Sequence, residues 1–116
     1  MSSDAIRDLE LQILQKEIRR DECAEALKDV EKQFSGEIEA LWEQDKIKAY
    51  SNAQKRADAC KARLAADPKA AALDDERSEL EIDLKRLRID VSFLRREFRR
   101  EMIRRQEALA GIGRDI

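Results

Sequence analysis

Pro68 is the only proline in 116 residues, and only three glycines accompany it. A chain so short of turn residues has few places to change direction. A β-sandwich or barrel needs turn signals every 8–12 positions, and they are absent. Ala, Glu, Lys, Arg and Leu fill the remaining positions, as they do in long helices. Hydrophobic residues make up 42% of the chain, enough to order it despite 43% charge. Much of that share is Ala, so the expected core is a thin seam.

Pro68 also marks a helix start. In Ala66-Asp67-Pro68-Lys69, Asp67 suits the N-cap and proline the first helical position, where its missing N–H costs nothing. A second start signal is Ser51-Asn52-Ala53-Gln54, which reads as a capping box with Ser51 as cap and Gln54 reaching back. These landmarks divide a single helical domain, 1–116, into a first helix over about 3–45, a connector over 46–50 and a second helix over about 51–65. A third helix covers about 68–110. Gly111 is expected at its C′ position, leaving a tail over 111–116. The two long helices would each reach about 63 Å. Ser35-Gly36 is the weak point of the first, but the apolar period carries across it and favours continuity.

The third helix repeats Leu73, Leu80, Leu84, Leu87, Val91, Leu94 and Phe98 at spacings of three, four or seven, a coiled-coil seam. The first helix carries Ile6, Leu9, Ile13, Cys23, Leu27, Val30, Phe34, Ile38 and Leu41, interrupted by Lys16 and Arg20. Two equal helices joined by a short element favour an antiparallel hairpin. The expected fold class is therefore all-α: an antiparallel coiled-coil hairpin with a short intervening helix, assembling into a dimeric helical bundle.

That assembly is expected because apolar residues also lie off the seam. Leu11, Leu14 and Ile18 do so in the first helix, and Ile82, Ile89, Phe93 and Ile103 in the third. A two-helix hairpin buries one stripe per helix, so the others would face water. Leu11, Ile13, Leu14, Ile18, Phe93, Phe98 and Ile103 are the interface candidates. A protein partner, or the short helix folding back, could use the same residues.

Charge divides unevenly. Residues 1–50 hold 13 acids against 8 bases, and residues 85–116 hold 5 against 10. Arg95, Arg96, Arg99, Arg100 and Arg104 are candidate nucleic-acid contacts on this count. The competing reading is charge compensation, since the acidic start of the first helix would lie beside them in a hairpin. The overall charge of −2 also favours compensation.

Nothing points to catalysis. The chain has no His, hence no candidate for the commonest general base and metal ligand. Its two cysteines, Cys23 and Cys60, lack metal-binding or redox spacing and read as reduced cytoplasmic thiols. No cofactor, metal or catalytic residue is assigned. The start lacks a basic segment followed by an apolar run, so no signal peptide is expected, and no stretch reaches membrane-spanning length.

The run Tyr50-Ser-Asn-Ala-Gln-Lys-Arg56, the segment Arg63 to Pro68 and the stretch Leu80 to Arg99 resemble a loosely defined group of small coiled-coil proteins of phage, prophage or mobile-element origin. The resemblance covers about residues 45–105. Its specific part is the Ser-Asn-x-x-Lys-Arg cap and the Asp-Pro start. That group has no established activity, so it implies an origin rather than a mechanism. Residues 45–48 depart from it, since its members tend to carry a Gly-containing turn there.

Overall fold

The computed structural model describes residues 3–114, with side chains through 111. Three α-helices account for nearly all of it: α1 (Ser3–Asp45), α2 (Ala53–Ala66) and α3 (Pro68–Arg114). A short 3-10 turn, Lys48–Tyr50, lies between α1 and α2. The described residues contain no strand.

α1 runs unbroken through Ser35 and Gly36. Gly36 keeps a negative φ, and a Cβ built on it would meet nothing within 4 Å. α1 stops at Lys46, whose φ of 51° lies in the left-handed region. Its N–H donates to the Trp42 carbonyl at 3.1 Å. Glycine usually fills such a position. Here the Lys46 ammonium sits 5.0 Å from the centre of the Trp42 ring, a cation–π contact that offsets part of the left-handed cost.

The cap of α2 is Asn52, not Ser51. Asn52 is extended and its side chain accepts from the Lys55 N–H at 2.8 Å. Ser51 has already turned helical and donates its own N–H to the Lys48 carbonyl, closing the 3-10 turn. The helix therefore starts at Ala53, and Gln54 donates forward to Asp58 at 2.9 Å instead of back to a cap. Asp67 caps α3: it is extended, and its carboxylate accepts from the Ala70 N–H at 2.8 Å. α3 does not end at Ala110. Gly111 avoids positive φ, so it cannot terminate the helix as a left-handed cap, and the helix continues to Arg114. The last two residues of the expected tail lie outside the described residues.

The chain separates into two compact units, one formed by Ile18–Glu81 and the other by the segments up to Glu17 and from Ile82 onward. In the Ile18–Glu81 unit, Cys23, Val30 and Ile38 of α1 are buried together with Cys60 of α2 and Ala70 of α3. Small residues at Cys60 and Ala70 let helices approach closely. α2 is fastened to α1 by Arg63–Glu37 at 2.8 Å, Arg56–Glu39 at 3.3 Å and the Cys60 thiol donating to the Glu31 carbonyl at 3.7 Å. In the other unit, Leu84 and Val91 are the buried side chains.

Asn52→Ala is expected to lower stability by about 1 kcal/mol, whereas Ser51→Ala should change it by less than about 0.5 kcal/mol. Equal losses in urea denaturation would contradict the cap assignment. Gly36→Ala should raise stability by about 1 kcal/mol, because Ala enters open space in a helix interior. A loss of stability there would show that α1 bends at Gly36.

Candidate interaction surface

The seam decides which helix faces remain exposed. On α3, residues 70, 73, 77, 80, 84, 87, 91, 94 and 98 are buried or half-buried, while their neighbours are mostly exposed. Arg77 occupies a seam position that the leucine pattern passes over. It stands four residues after Leu73 and three before Leu80. Its Nη2 donates to Asp74 at 2.6 Å, while its buried Nε finds no acceptor. On α1, Lys16 and Arg20 are half-buried and direct their charge to the rim. Lys16 pairs with Asp83 at 3.2 Å and Arg20 with Asp21 at 3.3 Å.

A two-pronged fork joins α1 to α3 within the Ile18–Glu81 unit. Arg19 donates from Nε to one Glu76 oxygen at 2.7 Å and from Nη2 to the other at 2.9 Å. Its Nη1 reaches Glu22 at 3.2 Å. Two parallel N–H···O bonds make this the best-defined geometry open to an arginine and a carboxylate. The fork holds the Glu76 carboxyl below the usual carboxylate range. Beside it lies Cys23, fully buried. Burial pushes its thiol pKa up against the opposing pull of Arg19, and burial does the same to Cys60. Both thiols are free and held in their less nucleophilic form.

In the other unit, Arg95 bonds Glu10, and Arg88 approaches Glu17 at 3.6 Å. Numbers rise along α1 as they fall along α3, so acid on one helix meets base on the other. Arg100 and Arg105 pair within their own helix, with Glu97 at 3.0 Å and Glu101 at 2.9 Å. Arg96 reaches the Ser92 carbonyl at 3.4 Å. Arg99 and Arg104 make no ion pair among the described residues. Of the five candidate arginines, then, Arg95 is tied across the seam and the others lie on exposed helix surface.

The seven interface candidates do not share one surface. Ile13 and Phe98 are half-buried. Ile13 borders a small hollow with Val91 and Ser92, so it belongs to the seam. Leu11, Leu14, Phe93 and Ile103 are each more than half exposed, as are Ile82 and Ile89. Heptad counting from the seam puts Leu11 and Leu14 on the side of α1 away from α3, and Ile82, Ile89, Phe93 and Ile103 on the side of α3 away from α1. Two helices that pair along one stripe direct their opposite stripes apart, so this unit has two outer apolar faces instead of one patch. Ile18, equally exposed, belongs to the Ile18–Glu81 unit.

That unit also holds a half-open pocket of about 450 Å³ lined by Leu27, Glu31, Leu64, Ala70, Ala71 and Asp75 among others. No sequence signal marks it, because its walls come from three helices. Among the described residues, no group of three Cys, Asp or Glu side chains is placed to hold a metal ion, and no helix is long and apolar enough to cross a membrane. Comparison with protein-family models, curated proteins and solved structures finds no match for the chain.

The Arg19–Glu76 fork generates a pH prediction. A carboxylate whose folded pKa is depressed contributes stability above its unfolded pKa, about 4.3, and loses that contribution as pH falls through the lower folded value. Glu76→Gln should therefore unfold at lower urea than the wild-type chain at pH 7, and the gap should close as the pH drops below about 4. A gap that persists undiminished at pH 2.5 would mean that the charge of Glu76 is not what the fork uses.

Proposed function

We propose that the chain is a non-enzymatic structural or interaction module, an adaptor or assembly factor that works by presenting helix faces. In this reading α1 and α3 pair as an antiparallel coiled-coil hairpin, and the module self-associates, with a homodimer as its smallest assembly. One observation carries it. In the unit containing Leu84 and Val91, the seam already buries one stripe of each helix, yet the opposite stripes keep Leu11, Leu14, Ile89, Phe93 and Ile103 in water. Phe93 is 54% exposed and Ile89 66%. Large side chains at coiled-coil spacing on an outer face are the pattern of a surface that another helix covers. Each such side chain contributes about 1.5–3 kcal/mol when fully buried. The rising and falling order of the Glu10–Arg95 and Glu17–Arg88 pairs supports the antiparallel hairpin. The two shielded thiols fit a reducing, cytoplasmic setting, and a phage-type coiled-coil origin remains part of the proposal.

Light scattering behind a sizing column tests the reading. The expected mass at micromolar concentration is at least twice the 13.5 kDa of one chain. Phe93→Glu should lower it while leaving helical circular dichroism intact. A wild-type protein that keeps the mass of a single chain up to its highest soluble concentration would overturn self-association.

A further inference from the structure

The outer faces differ in charge, and their spacings agree. In the Ile18–Glu81 unit, Ile18, Asp21, Glu22, Glu25, Ala26 and Asp29 line a shallow open hollow along α1. In the other unit, α3 exposes Phe93, Arg96, Arg100 and Arg104. Ile18, Asp21, Glu25 and Asp29 follow one another at intervals of three, four and four; so do Phe93, Arg96, Arg100 and Arg104. Laid side by side in the same direction, the two runs match apolar with apolar once and acid with arginine three times.

We infer that the partner of the acidic face of α1 is the arginine face of α3 in a second copy of the chain, with the two helices parallel. Ile18 of one copy packs on Phe93 of the other. Asp21, Glu25 and Asp29 meet Arg96, Arg100 and Arg104. The present partners of these groups do not stand in the way. Asp21 with half-buried Arg20, Glu25 with Lys28 and Arg100 with half-buried Glu97 are pairs within a single helix turn whose other members are well exposed, at 3.3, 3.5 and 3.0 Å, and such pairs are worth little. Arginine rather than lysine on the basic face suits carboxylate recognition, because its planar fork bonds both oxygens. The occupant is this same chain because the chain itself carries the opposite charge series at the matching interval. The contact is heterologous: each copy offers one face of each kind.

This inference rests on the self-association proposed above, and the two can fail separately. Asp21→Arg/Glu25→Arg leaves a chain with two basic faces, and Arg96→Glu/Arg100→Glu leaves one with two acidic faces. Sedimentation at low salt should find each full-length variant alone near the monomer mass, with at least about a tenfold loss of association. An equimolar mixture should regain the wild-type mass. The wild-type assembly should loosen at about 0.5 M salt, where exposed charges are screened. Circular dichroism reads helix content, and Arg96→Gln/Arg100→Gln replaces the reversed pair if helix is lost. A wild-type chain that associates while either variant keeps the wild-type mass, or a mixture that stays monomeric, overturns the pairing and leaves self-association standing. A monomeric wild-type chain overturns both. If that monomer instead shifts a duplex DNA probe in a salt-sensitive way, the arginines serve phosphate, and this inference is wrong.

Discussion

Packing in this protein depends on a seam about one side chain wide. Seven side chains are buried among the described residues, and three of them are Cys or Ala. With so narrow an apolar layer, each interruption matters. Lys16, Arg20 and Arg77 stand in the seam, and a charge placed there must reach water or a carboxylate. Lys16 and Arg20 do so at the rim, through Asp83 and Asp21. Arg77 does so through Asp74, leaving its Nε without an acceptor. Long cationic side chains manage this because the stem packs while the head stays wet.

The same thinness explains the ion-pair pattern. Pairs across the helices, such as Arg19–Glu76, Arg95–Glu10 and Arg63–Glu37, flank the seam in both units. Individually they add little stability, because they are exposed. Collectively they select which helix lies beside which, since like charges would meet in a shifted register. Two buried, free thiols belong to the same narrow core: Cys23 and Cys60 are small residues at positions where helices pack.

The proposed function uses what the seam leaves over. A paired helix has an inner stripe and an outer stripe, and in this chain both are partly apolar. The outer stripes also differ in sign, acidic along α1 and arginine-rich along α3. In the proposed assembly, apolar spacing would supply the drive for association and charge the choice of partner.

Helical class was legible in the residues because glycine and proline are scarce and because Leu73 to Phe98 repeats at heptad spacing. The Asp67–Pro68 start was legible for a local reason: a cap and a fixed φ act within one turn. The start of α2 was less so. Ser51 and Asn52 are both good caps, and the 3-10 turn before them, by claiming the Ser51 N–H, leaves the role to Asn52. Gly111 showed the same limit, since glycine permits a left-handed stop without requiring one. Arg77 was not legible as a seam residue because a cation in a leucine repeat looks like a gap; in the structure its Nε is buried while the rest of the side chain stays partly exposed. Heptad spacing already placed Ile13 and Phe98 in the seam and Phe93 and Ile103 outside it; only the tertiary structure decided that Arg77 takes a seam position as well. Residues a few positions apart on a helix differ by a rotation, and which rotation is buried is decided by the neighbouring helix.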